Sequence, residues 1–219
     1  MPDDFKRAEV AVGPRRLEGS LLLPAQPLGL VIFAHGSGSS RFSPRNAFVA
    51  ESLVARSLAT LLFDLLSPEE SAHRRNVFDI ALLAVRLEEA LAWAARRPEI
   101  GALPIGLFGA STGAAAALVA AAHEAPRVAA VVSRGGRPDL AAEALPHVKA
   151  PTLLIVGGFD DEVLELNQWA LRRLHCTARL EVIPGATHLF EEPGTLEQVA
   201  RIGGDWFVEH LPNRAERRQ

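Results

Sequence analysis

Pro104-Ile105-Gly106-Leu107-Phe108, followed by Gly109-Ala110-Ser111-Thr112-Gly113 and the alanine run that begins at Ala114, is the stretch on which the fold turns. Its first five residues form a short apolar run of strand length, and such runs suit strands covered on both faces. Thr112 to His123 has the length and spacing of a buried helix. Between them stands a turn with small residues two before and two after a serine. A strand-to-helix turn this tight needs those small residues so that backbone can approach backbone, and it lifts the serine Oγ above the sheet. The helix start beneath aims free N–H groups at any negative charge that develops there. Taken alone, GASTG is as well explained by an ordinary glycine-rich connector. The rest of the chain decides.

Outward from this turn, strand and helix alternate. Gly29–Ala34, Leu58–Phe63, Val128–Val132, Thr152–Val156 and Arg179–Ile183 are further β-capable runs bounded by Gly, Pro or polar residues. Between them Ala47–Arg56, Phe78–Arg97, Val163–Leu174 and Thr195–Leu211 carry apolar residues three and four apart, and Asp139–Leu145 adds a shorter helix. Glu9–Val12 and Leu17–Leu23, split by Gly13-Pro14, read as a leading hairpin. The pattern implies an α/β fold, a doubly wound and mostly parallel sheet. No linker divides the 219 residues, so a single domain over 1–219 is expected, with 210–219 as a frayed tail ending in the cations Arg214 to Arg218.

Serine at its ordinary pKa is a weak nucleophile and needs a histidine base and an acid that orients the histidine. Both follow in order at strand ends: Asp160 after TLLIVGG and His188 after RLEVIPGA. Separately, Asp160 would be a helix N-cap and His188 a loop histidine. Asp161 rivals Asp160, but Gly158-Phe159-Asp160-Asp161-Glu162-Val163 favours the first aspartate. The Gly29–Ala34 strand ends in His35-Gly36-Ser37-Gly38-Ser39-Ser40. Backbone N–H donors in such a loop can hold an oxyanion, and the amides of Ser37 and Thr112 are the candidates.

HGSGSS, GASTG, GGFDDEV and PGATH in this order resemble the α/β-hydrolase superfamily, and the small lidless outline is most similar to its dienelactone hydrolase-like branch. Dienelactone hydrolases proper use a cysteine where Ser111 stands, and Cys176 lies far away in sequence. The resemblance implies a sheet of up to eight strands with helices on both faces and serine esterase chemistry with no metal and no organic cofactor. Its partner would be a small ester, thioester or lactone. A non-catalytic fold of the same type that binds a ligand or partner is the alternative. Only about twenty residues separate Val128–Val132 from Thr152–Val156, ordinary crossover length, so no large lid and a shallow, open pocket are expected.

Composition narrows the partners. Lys plus Arg number 23 against 26 Asp plus Glu, a formal charge of −3, without the basic excess of a phosphate-backbone binder, so nucleic acid is not expected. One cysteine and no basic-then-apolar start fit a reducing, cytoplasmic setting with no membrane span. Monomer and homodimer stay open. Arginines gather on the expected site side: Arg41, Arg45, Arg74, Arg75, Arg134 and Arg137. They either pair with Asp64, Glu69, Glu70 and Asp139 as surface ion pairs do, or bind an anionic substrate, for which Arg45 and Arg134 are the candidates.

Overall fold

The computed structural model describes residues 5–211, so the Arg214–Arg218 tail lies outside the described residues. Strands β1 (Phe5–Val12) and β2 (Leu17–Pro24) make the antiparallel hairpin, and β2 continues antiparallel against β4 (Leu58–Phe63). From there the ladder is parallel through β3 (Gly29–Ala34), β5 (Ile105–Ala110), β6 (Val128–Arg134), β7 (Thr152–Gly157) and β8 (Ala178–Ile183). The order β1-β2-β4-β3-β5-β6-β7-β8 puts the serine-bearing β5 in the interior of one eight-stranded sheet. Every residue of β3, β4, β5 and β7 is buried, as continuous apolar runs covered on both faces should be.

Helices α4 (Ile80–Ala94), α5 (Thr112–His123) and α6 (Asp161–Leu171) cover one face. Helices α1 (Pro44–Val54) and α7 (Thr195–His210) cover the other. Alanines at 114 to 117, 120 and 121 leave α5 almost wholly buried between α4 and the strands. The helix can lie that close because most of its buried side chains are no larger than a methyl. Residues 210 and 211 are no tail: His210 ends α7, and Leu211 is buried against Gly29.

Several boundaries differ from the sequence expectation, each for a local reason. Strands β5 and β6 run two residues further, pairing Gly109 with Ser133 and Ala110 with Arg134, because a parallel ladder uses backbone groups and tolerates glycine and arginine alike. Helix α1 begins three residues earlier, where Ser43 Oγ accepts from the Asn46 N–H at 3.3 Å ahead of a proline at the first helical position. The helix expected over Asp139–Leu145 is replaced by two 3₁₀ turns, Pro138–Ala141 and Leu145–His147, and no lid is inserted there. Two short helices were not anticipated between β4 and α4: α2 (Pro68–Ser71) and α3 (Arg74–Val77). Among the described residues no helix is long and apolar enough to cross a membrane.

Candidate active site

Ser111 sits between β5 and α5 at φ 51° and ψ −122°, a conformation that costs an L-residue about 1–3 kcal/mol and persists only when its surroundings over-determine it. They do. The Ser111 N–H donates to the Arg134 carbonyl at 3.2 Å, and the Arg137 N–H donates to the Ser111 carbonyl at 3.2 Å, so the segment after β6 grips the turn at both backbone groups. A Cβ on Gly109 would overlap the main chain of Ala114, and one on Gly113 would overlap the carbonyls of Ala34 and His35. The two glycines are therefore required by close approach, as the motif suggested.

His188 and Asp160 come from the loops after β8 and β7. His188 Nδ1 lies 2.6 Å from Asp160 Oδ2, which makes that nitrogen the donor and, in the neutral ring, leaves Nε2 as the acceptor. Asp161 begins α6 instead. Among the described residues Ser111 Oγ makes no hydrogen bond with His188; in ligand-free sites such contacts are often long and tighten when substrate arrives. One residue lies between them: Gly135 follows the residue whose carbonyl holds Ser111, and a Cβ there would stand 3.2 Å from the His188 carbonyl and 3.5 Å from its ring.

The candidate oxyanion loop, His35 to Ser40, lies against the turn, with the Gly36 Cβ position 3.0 Å from Ser111 Cβ. The Ser37 N–H donates to Thr112 Oγ1 at 2.9 Å, so the two candidate donor residues are joined and this amide is engaged within the protein. His35 anchors the loop. Its Nδ1 hydrogen bonds to the Gly36 carbonyl at 3.1 Å and its Nε2 accepts the Leu65 N–H at 3.1 Å, a pairing open only to the neutral ring. Burial holds its pKa below the usual histidine value, against the opposing pull of the Gly36 carbonyl and Asp64.

Beside this loop opens a cleft of about 450 Å³ walled by Phe42, Leu65, Leu66, Val77 and Leu83. Its volume lies within the range of small-molecule sites. Leu65, Leu66 and Val77 of this wall, with Pro68, come from α2, α3 and the turn before them. Its signal was present: Ser67-Pro68-Glu69-Glu70 is a capping box with proline at the first position, and both reciprocal bonds form. Arg86, buried in α4, clamps this segment through Glu70 at 2.6 Å.

The arginines separate. Arg41 is paired with Asp64 at 2.6 Å and Glu18 at 2.8 Å, and Arg137 with Asp139 at 2.8 Å. Glu69 bonds Ser67 and Glu70 takes Arg86, so neither neutralises Arg74, whose guanidinium stands 5.6 Å over the Phe78 ring. Arg45 reaches the exposed Glu191 at 3.2 Å, while Arg134 is buried without a carboxylate. Among the described residues no group of three or more His, Cys, Asp or Glu side chains could hold a metal ion.

Comparison with known proteins bears on this geometry. A dienelactone hydrolase of Anabaena variabilis superposes with a TM-score of 0.92 at 53% identity, covering 95% of this chain and all of that one. Est1E of Butyrivibrio proteoclasticus shares the fold at 17% identity, with a TM-score of 0.79 over 93% of this chain and 98% of that one. A Mycobacterium tuberculosis protein named provisionally as a phosphoribosyl transferase is 60% identical over 206 residues, 94% of this chain and 46% of its own length. The chain thus spans about half the length of that relative. The model of the dienelactone hydrolase family matches residues 55–202, which include Ser111, Asp160 and His188. By that match and by the Anabaena likeness, the chain belongs to the dienelactone hydrolase family.

Proposed function

We propose that the chain is a serine hydrolase that cleaves small carboxylic esters, thioesters or lactones through an acyl-enzyme. The observation that carries this reading is the pairing of a strained serine turn with a histidine whose free nitrogen is set by Asp160. Ser111 Oγ attacks the carbonyl carbon and its proton passes to His188 Nε2. The tetrahedral oxyanion is held by the Thr112 amide and by the Ser37 amide, which exchanges Thr112 Oγ1 for the substrate oxygen. His188 then protonates the departing alcohol or thiol as the carbonyl re-forms. Water, deprotonated by the same nitrogen, attacks the acyl-enzyme and releases the acid, restoring the Ser111 hydroxyl.

The apolar cleft beside the oxyanion loop suits an acyl or aryl group larger than acetyl. Nothing in the 206 matched residues supplies a transferase reading from the provisional name of the mycobacterial relative, whose other half lies beyond this chain. The test is steady-state hydrolysis of p-nitrophenyl acetate and benzoate. We expect kcat/KM to fall about 10³- to 10⁴-fold in Asp160→Asn and in His188→Ala, since the base is then missing or in the wrong tautomer. Turnover equal in wild type and both variants would leave the non-catalytic binding protein as the better reading.

A further inference from the structure

Arg134, the last residue of β6, is 7% exposed. Its Nη2 donates to Asn46 Oδ1 at 3.3 Å, and among the described residues Nε and Nη1 have no hydrogen-bond partner. Arg45, one residue before Asn46, adds a second guanidinium whose Nε is also buried without a partner. Among the described residues the one carboxylate paired with either guanidinium is Glu191, which takes Arg45 Nη1 and has a side chain 62% exposed. Both Arg45 and Asn46 stand in the first turn of α1, where no acidic residue offsets the positive end of the helix. Phe190 closes the other side, its ring 6.0 Å from the Arg134 guanidinium. Burial, and then repulsion from Arg45, lowers the Arg134 pKa to about 10, so the group is still a cation at neutral pH.

A protein that needed only to fold would do as well with an apolar side chain at this position, because a buried charge without a counter-ion is costly and a well-packed isostere is not. Arg41 and Arg86 also keep buried N–H groups without partners, but each has a carboxylate; Arg134 has none among the described residues, and that difference points to an anion from outside the chain. We infer that Arg134, Arg45 and the N-terminus of α1 form an oxyanion site that takes a carboxylate or phosphate group. The site borders the proposed catalytic groups: the Arg134 carbonyl holds the Ser111 amide, and a Cβ on the next residue, Gly135, would stand within 3.5 Å of His188. That placement makes the anion a group on the substrate, a reading that rests on the proposed hydrolysis, or else a free anion bound beside it.

The experiment titrates inorganic phosphate and, separately, benzoate at constant ionic strength into wild type, Arg134→Met and Arg45→Gln, reading the thermal midpoint. We expect at least one anion to raise the wild-type midpoint, with apparent affinity about tenfold weaker in both variants, the loss of a charge-assisted contact. Arg134→Met should fold, since methionine is an apolar near-isostere; if it does not, Arg45→Gln, at a partly exposed position, carries the comparison. No shift with either anion in wild type, or equal shifts in all folded forms, would overturn the site. The readout needs no turnover, so it stands or falls apart from the hydrolysis. Competitive inhibition of p-nitrophenyl acetate by the bound anion would assign the site to a substrate group, and unaltered KM would assign it to a free anion.

Discussion

The two flanks of Ser111 handle charge in opposite ways. On the oxyanion side, Arg41 is neutralised by Asp64 and Glu18, Arg86 by Glu70, and what remains open is an apolar cleft. On the α1 side Arg134 is buried beside Phe190 with no carboxylate partner among the described residues, and Arg45 has only the exposed Glu191. The arginines thus divide into those tied to partly buried carboxylates and a buried Arg134 that has none among the described residues. The difference teaches that the first flank is built to receive an uncharged group and the second an anion.

Both flanks hang from one turn, and the largest effect on either comes from breaking it. Gly113→Ala forces a methyl into the Ala34 and His35 carbonyls, and we expect it to cost about 3 kcal/mol or more, with loss of hydrolysis, in urea denaturation and turnover assays. The next effect sets the flanks against each other. Arg41→Met strips Asp64 of its partly buried partner and should cost about 2 kcal/mol, whereas Arg134→Met removes an unneutralised charge and should leave the urea midpoint unchanged or higher. Equal destabilisation by the two would erase the distinction.

The cleft side sharpens further through Phe42, which is 70% exposed and stands under the Arg41 guanidinium at 4.1 Å. Phe42→Ala should lower kcat/KM for p-nitrophenyl benzoate about fivefold while changing the acetate little, by loss of roughly 1 kcal/mol of aromatic contact. The smallest effect concerns acid. His35 is neutral in the fold at a pH where the unfolded chain binds a proton, so its contribution is complete above pH 6.5, the ordinary histidine value, and is lost as pH falls below it. His35→Gln should therefore narrow the drop in thermal midpoint between pH 7 and pH 5.5 by about 2 °C.

How far the sequence could be read follows from which interactions are local. The turn at Ser111, the strands and the long helices announce themselves by periodicity and by small residues at fixed spacing, and their order along the chain brings Asp160 and His188 together. The cleft wall over Pro68–Val77 escaped because two four-residue helices are too short to show a period, and only the capping box at Ser67 marks them. The fate of each arginine was legible only in part. Arg45 and Arg134 were the sequence's candidates for an anion, but nothing local marked Arg41 as tied, because pairing depends on which carboxylates the sheet order brings near, as with Arg41 and Asp64 in the segments that follow the neighbouring strands β3 and β4.

The central claim is that the fold activates one serine. Intact mass after treatment with a fluorophosphonate, compared between wild type and Ser111→Ala, tests it most directly. The account predicts a single adduct on the wild type and none on the variant. An unlabelled wild type that is nevertheless folded, or the same adduct on Ser111→Ala, would contradict it.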